Sequence, residues 1–139
     1  MSYGPVMDAT TRPRYEPMAL AGLAGLLADC EEDDDLRWRL IAEFLEEHSW
    51  EPVATRSLLL RDEPARTGDE RWDVFLAALA EHLTARDGQA APPWSESRTL
   101  RRLWFPFNTD AARVDAIVNA PAAFRKRGVY VSRQELEVE

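Results

Sequence analysis

The segment that most constrains this chain is Glu70 to Asp87, ERWDVFLAALAEHLTARD. Its Trp72, Phe75, Leu76, Leu79 and Leu83 recur at helical spacing and fall within one broad stripe. Asp69 and Thr67 stand where an N-cap acceptor is wanted, and Gly88 where a left-handed residue ends a helix. A helix carrying so much apolar surface must be covered, so the rest of the chain is to be read for what can cover it.

Other helices are at hand. Met18 to Cys30 is apolar and alanine-rich, with Leu20, Leu23 and Leu27 in register, although Gly22 and Gly25 each weaken it by about 1 kcal/mol relative to alanine. The acidic run Glu31 to Asp35 suits a loop leading into a helix N-terminus, where negative charge is favourable. A second helix is expected from Leu36 to His48, its stripe made by Trp38, Ile41, Phe44 and Leu45. A third spans Pro52 to Leu60, whose Leu58, Leu59 and Leu60 cannot all face one side. Arg61 to Asp69 reads as a loop. After Pro92-Pro93 a short helix is expected over Ser95–Leu103, followed by the aromatic cluster Trp104-Phe105-Pro106-Phe107.

Asn108 or Thr109 then caps a helix through Val118, with Val114, Ile117 and Val118 apolar, and Pro121 opens another turn or two closed by Gly128. Val129-Tyr130-Val131 fits a brief strand or arm, and Ser132 to Glu135 fits a capping box before a final short helix. The expected fold is mainly α, a compact bundle of five to seven helices with one short strand near the C-terminus. Residues 1–17 read as a mobile tail and 18–139 as a single helical domain.

Composition limits the function. The 139 residues carry a net charge of −8, which argues against a general nucleic-acid coat. The charge is uneven: residues 1–92 hold 9 basic and 19 acidic side chains, whereas 93–139 hold 8 and 6. Of 17 basic residues only Lys126 is a lysine, an arginine bias that GC-rich genomes produce. No stretch reaches the roughly eighteen apolar residues that cross a bilayer, and Met1 to Pro17 lacks the pattern of a secretory signal. The single Cys30 forms no internal disulfide, so a reducing, cytoplasmic setting is expected and no membrane contact.

Catalytic signatures are absent from the sequence: no phosphate-cradling glycine loop, nucleophile elbow or zinc spacing occurs. His82, at the edge of the strong helix's stripe, reads as a half-buried structural histidine, and His48 as one favoured by a helix C-terminal dipole. Cys30 reads as a packing residue. No catalytic residue, metal ligand or cofactor is expected. Trp38 and Trp72 fall on apolar faces and belong to the core, while Trp50 should pack over the ends of two helices. Trp94, Trp104, Phe105 and Phe107 interleave with Arg98, Arg101 and Arg102, a pattern that stacks bases, anchors a protein partner or plugs the end of a helical core. Arg125-Lys126-Arg127 closes a short helix and either serves its dipole or meets an anion.

The segments RWDVFLAALAEHL (Arg71–Leu83), PPW (Pro92–Trp94), WF (Trp104–Phe105) and NAPAAFRKRGVYV (Asn119–Val131) resemble an uncharacterised domain of high-GC bacteria. That domain occurs in small stand-alone proteins and behind helix-turn-helix segments in regulator- or antitoxin-like proteins. The resemblance covers about half the chain and implies no catalytic residue. The N-terminal region here is acidic and offers no basic recognition helix, a departure that weakens any DNA-reading role.

The expected function is therefore that of a non-enzymatic protein-interaction module, antitoxin- or regulator-like. Its acidic N-terminal half would face a basic partner, and Trp94, Arg101, Arg102, Trp104, Phe107, Arg125 and Arg127 would form a second contact. The alternative is a nucleic-acid-binding regulator using Arg101, Arg102, Arg125, Lys126 and Arg127.

Overall fold

The computed structural model describes residues 16–138. The tail expected over 1–17 lies outside them, apart from Glu16 and Pro17. Six α-helices follow in order: α1 (Leu20–Ala28), α2 (Asp34–Ser49), α3 (Val53–Leu59), α4 (Glu70–Arg86), α5 (Asp110–Asn119) and α6 (Ala122–Arg125). Two 3-10 turns, Pro93–Ser97 and Arg133–Leu136, interrupt the later connections. The chain is thus a compact, mainly α-helical bundle, with no strand among the described residues.

The expected strand reduces to one parallel bridge between Trp104 and Val129. Trp104 N–H donates to the Gly128 carbonyl and Tyr130 N–H to the Trp104 carbonyl, each at 2.8 Å. The next donor in such a ladder would be residue 106, which is a proline without an N–H, so the pairing ends there. The helix expected over Ser95–Leu103 likewise stops at Ser97, because Leu100 N–H turns away to the Arg127 carbonyl at 3.0 Å. Gly128 makes these contacts feasible. Its φ is +86°, and an added Cβ would lie 3.4 Å from Leu100 Cβ.

α4 is the centre of the molecule. From Trp72 through Ala80 every residue is buried, not only the apolar stripe legible in the sequence. α1, α6 and the Pro93–Ser97 turn all pack on α4. The small residues Ala77, Ala78 and Ala80 let neighbours approach on the sides that large residues leave open. Asp69 caps the helix, accepting from Arg71 N–H at 3.0 Å, while Thr67 donates its N–H and hydroxyl to the buried Asp73 carboxylate at 2.7 and 2.8 Å.

Three local expectations change. The acidic run is not a plain loop: Asp33 is the N-cap of α2, accepting from Leu36 N–H at 3.0 Å, and Asp34 and Asp35 form its first turn. Asp34 also accepts from Arg37 at 2.9 Å and from the Trp72 indole at 3.1 Å, which ties the start of α2 to α4. Trp50 does not cover helix ends; it is 77% exposed, its indole bonded to Glu46 on its own helix. Ser132 makes no side-chain cap, and only a 3-10 turn follows it.

Buried arginines close the remaining gaps. Arg37 donates to the Leu27 carbonyl at 3.2 Å and to the Glu31 carbonyl, capping the C-terminus of α1 where Glu31 takes a φ of +57°. Arg98 donates to the carbonyls of Asp73 at 3.1 Å and Pro64 at 2.6 Å. Arg127 donates to those of Ala123 at 2.9 Å and Ser95 at 3.0 Å. All three are 4% exposed or less.

Arg98→Ala leaves the carbonyls of Pro64 and Asp73 without that donor, and is expected to cost about 3 kcal/mol of unfolding free energy. Arg39→Ala, at an exposed position of α2, should stay within about 0.5 kcal/mol. Urea unfolding of the two variants measures the difference, and equal midpoints would refute the structural role given to Arg98.

Candidate functional site

The aromatic residues singled out from the sequence do not form one surface. Trp104 packs edge-on against Trp72 at 5.2 Å, with the Arg71 guanidinium 5.0 Å above its ring. Phe107 stacks on Trp38 at 4.7 Å, and Trp38 in turn meets Trp72 and Phe75 edge-on. These half-buried rings extend the core. Trp94 lies apart from them: its indole donates to the Leu60 carbonyl at 3.3 Å and Arg98 sits 5.0 Å from its ring. Phe105 stacks on Tyr130 and carries Arg113 at 4.8 Å. The aromatic faces that could have held a base are thus already engaged by this chain's own rings and arginines.

The cations divide in the same way. Arg101 and Arg102 are exposed in the turn before Trp104, and Arg125 is exposed while donating to the Ala120 carbonyl at 3.0 Å. Arg127 is a correction, for it points inward and is 2% exposed, so it does not present a contact surface. Lys126 and Arg127 both bind Glu81, at 2.8 and 2.6 Å. Burial opposes the Glu81 carboxylate, yet the bonds from Lys126 and Arg127 outweigh it and hold the group below the usual carboxylate range. Glu81 offsets only one of these two charges, but Arg127 is buried and Lys126 is held at Glu81, so the cations do not form one continuous exposed stripe for phosphate.

A different surface stands out. On α5, Val114, Ile117 and Val118 are 62%, 55% and 67% exposed, and only Ala116 of that helix is buried. The helix is nonetheless well defined. Thr109 accepts from Ala112 N–H at 3.2 Å as its N-cap, and Ala120 N–H closes its end on the Ala116 carbonyl at 2.9 Å. Val114 and Val118 share one side with Asp110 and Asp115, and neither acid has an ion-pair partner among the described residues. Periodicity identifies that apolar stripe but not which side of the helix the bundle covers, which is why sequence reasoning did not single it out.

Of the two histidines, His82 is half-buried as expected, and His48 is not where its helix end suggests. His82 is half-buried and meets Phe124 edge-on at 5.8 Å; burial, then Arg86 and Arg133, lower its pKa to about 4. His48 was expected at an open helix end, yet it is 3% exposed, stacks on Phe44 at 5.4 Å and offers both ring nitrogens to no protein partner among the described residues. Burial lowers its pKa to about 4, helped by Arg56 and Arg86 and opposed by Asp87. It borders a cavity of about 130 Å³ between the C-terminal ends of α2 and α4. Cys30 is buried and donates to the Leu26 carbonyl at 3.3 Å, and burial pushes its thiol up, away from thiolate reactivity.

No group of three or more potential metal-ligating side chains occurs among the described residues, and no described helix is long and apolar enough to cross a membrane. Comparison with family models, curated proteins and solved structures finds no match to this chain.

The histidines predict a stability loss in weak acid. Both folded-state values lie below the ordinary 6.5, so the unfolded chain takes up protons first as pH falls. Their contribution is complete above about pH 6.5 and is lost as pH falls toward 4. Each should add a slope approaching 1.4 kcal/mol, approximately, per pH unit in that window. Urea unfolding between neutral and acid pH measures it, and His48→Phe should remove one share; an unchanged slope in that variant contradicts the assignment.

Proposed function

We propose that this chain is a protein-interaction domain whose docking element is the exposed apolar face of α5. The observation that carries the reading is a well-capped helix that turns Val114, Ile117 and Val118 to solvent while burying only Ala116. Exposed apolar stripes of this kind are costly unless a partner covers them. The occupant is a second protein that lays an apolar helix or strand along α5 and borders it with lysine or arginine. Asp110 and Asp115 flank the stripe without internal cations, so a basic rim complements them. A second copy of this chain is disfavoured, because two molecules of net charge −8 would bring the same acidic rims together.

The resemblance of the C-terminal half to a domain of regulator- and antitoxin-like proteins supports the same class. The acidic run of α2 plays a smaller part than expected, since Asp33 and Asp34 are engaged in capping and in holding Arg37 and Trp72. A role in binding nucleic acid loses support, because Arg127 is buried and Lys126 is paired with Glu81. One helix of ten residues offers less than the roughly 800 Å² per partner of a standard interface. The contact is accordingly weak or transient unless neighbouring surface joins it.

A photo-crosslinking residue at Ile117, in cells that naturally make the chain, should yield an adduct with one polypeptide that is basic beside an apolar segment. Val114→Asp with Val118→Asp should abolish the adduct and leave the thermal midpoint unchanged. Asp110→Lys with Asp115→Lys should lower affinity at least tenfold at low salt, a loss of about 1.4 kcal/mol. An adduct only with the chain itself, crosslinking to nucleic acid, or no adduct overturns the proposal.

A further inference from the structure

The cavity at the C-terminal ends of α2 and α4 holds a polar group with no protein partner. His48 is 97% out of solvent contact, and neither Nδ1 nor Nε2 finds a hydrogen bond among the described residues. A buried imidazole without a partner is costly, and the cavity it borders is where a partner can sit. The remaining walls are of two kinds. Leu45, Leu83, Leu136 and Val138 give an apolar side, and Ser49, Arg56, Arg86 and Asp87 a polar one. Asp87 is already taken by Arg56, whose Nε and Nη2 reach its two oxygens at 3.0 and 2.8 Å. Arg56 also donates to the Glu51 carbonyl at 2.8 Å. Arg86 has no ion-pair or hydrogen-bond partner among the described residues, which leaves a positive balance on the polar side. Ser49, Arg86 and Val138 also line an open recess bordered by the exposed Trp50, which provides a route from solvent.

We propose that this cavity is a binding site for a short-chain monocarboxylate, with the carboxylate held by Arg86 and a ring N–H of His48 and the alkyl tail on the leucine wall. The size agrees. About 130 Å³ is close to the engineered cavity of about 150 Å³ that accepts benzene, so acids of two to four carbons, approximately, fit and longer chains do not. Charge selects the class: with Arg56 held by Asp87, an alkylamine would meet the net positive charge that Arg86 leaves, and a neutral alcohol would gain no charge-assisted bond from Arg86. This site is separate from the α5 face, and its success or failure leaves that reading as it stands.

The test is a titration of the full chain with sodium propionate, propylamine and propan-1-ol at constant ionic strength and neutral pH, read on the ring ¹⁵N signals of His48. Propionate should give a saturable shift with a Kd of about 1 mM, and the amine and the alcohol binding at least tenfold weaker. Arg86→Gln, at an exposed position that should not disturb folding, should weaken propionate at least tenfold, and His48→Phe, followed by line broadening of the propionate methyl signal because that variant has no ring nitrogen, should abolish binding. Equal responses to all three compounds, or no saturable shift with propionate, overturn the proposal and leave His48 hydrogen-bonded to water.

Discussion

Arginine side chains buried against main-chain carbonyls are the constraint on which the rest of this molecule depends. Helix ends and irregular loops leave carbonyl groups without partners, and each one buried that way costs stability. The bundle has many such places, because more than a helix length separates α4 from α5. A guanidinium carries several donors in a fixed fork and so can serve two carbonyls from one buried position. Arg98 joins the loop before α4 to the first turns of α4, and Arg127 joins α6 to the Pro93–Ser97 turn. Glu63 and Glu81 at the margins balance the charges they bring inside. Lysine, with one compact ammonium, could not make the same fork. The arginine bias of the chain has a structural use, whatever its origin.

With the loops held this way, α4 can be surrounded. A helix buried on all sides needs neighbours at close range, and its alanines permit that approach while Trp72, Phe75 and Leu79 fill the wider gaps. The aromatic cluster follows from this arrangement. Trp104 and Phe107 lie on a segment that forms no regular structure, yet the single bridge to Val129 and the stacking on Trp72 and Trp38 fix them against α4.

The parts of the fold that local chemistry decides were legible in the sequence. Asp69, Thr109, Gly88 and Gly128 end or begin helices where their types require it, and the positive φ values of both glycines follow. What was not legible depends on long-range neighbours. Arg37, Arg98 and Arg127 look like surface residues until the carbonyls they meet, up to 34 residues away in sequence, are brought to them. The stripe of α5 has the same periodicity as a core-facing stripe, and only the position of the bundle shows that it faces out. His48 sits at a helix end in sequence, but Leu136 and Val138, far along the chain, close over it.

Trp94, Trp104 and Phe107 drew attention as a binding surface, and each is satisfied by an internal contact: a carbonyl, an arginine or another ring. Val114, Ile117 and Val118 remain uncovered, and His48 remains without a hydrogen bond. Arg98 Nε and Arg127 Nε are also buried without a partner, but their guanidinium groups are held by other bonds, whereas His48 has none at either nitrogen and borders a cavity. The two places differ in kind. One is an exposed, acid-rimmed apolar helix that suits a macromolecule, and the other is a small, partly open cavity beside two arginines that suits only a few atoms. That difference is why we propose a protein partner for α5 and a small anion for the end of α2 and α4.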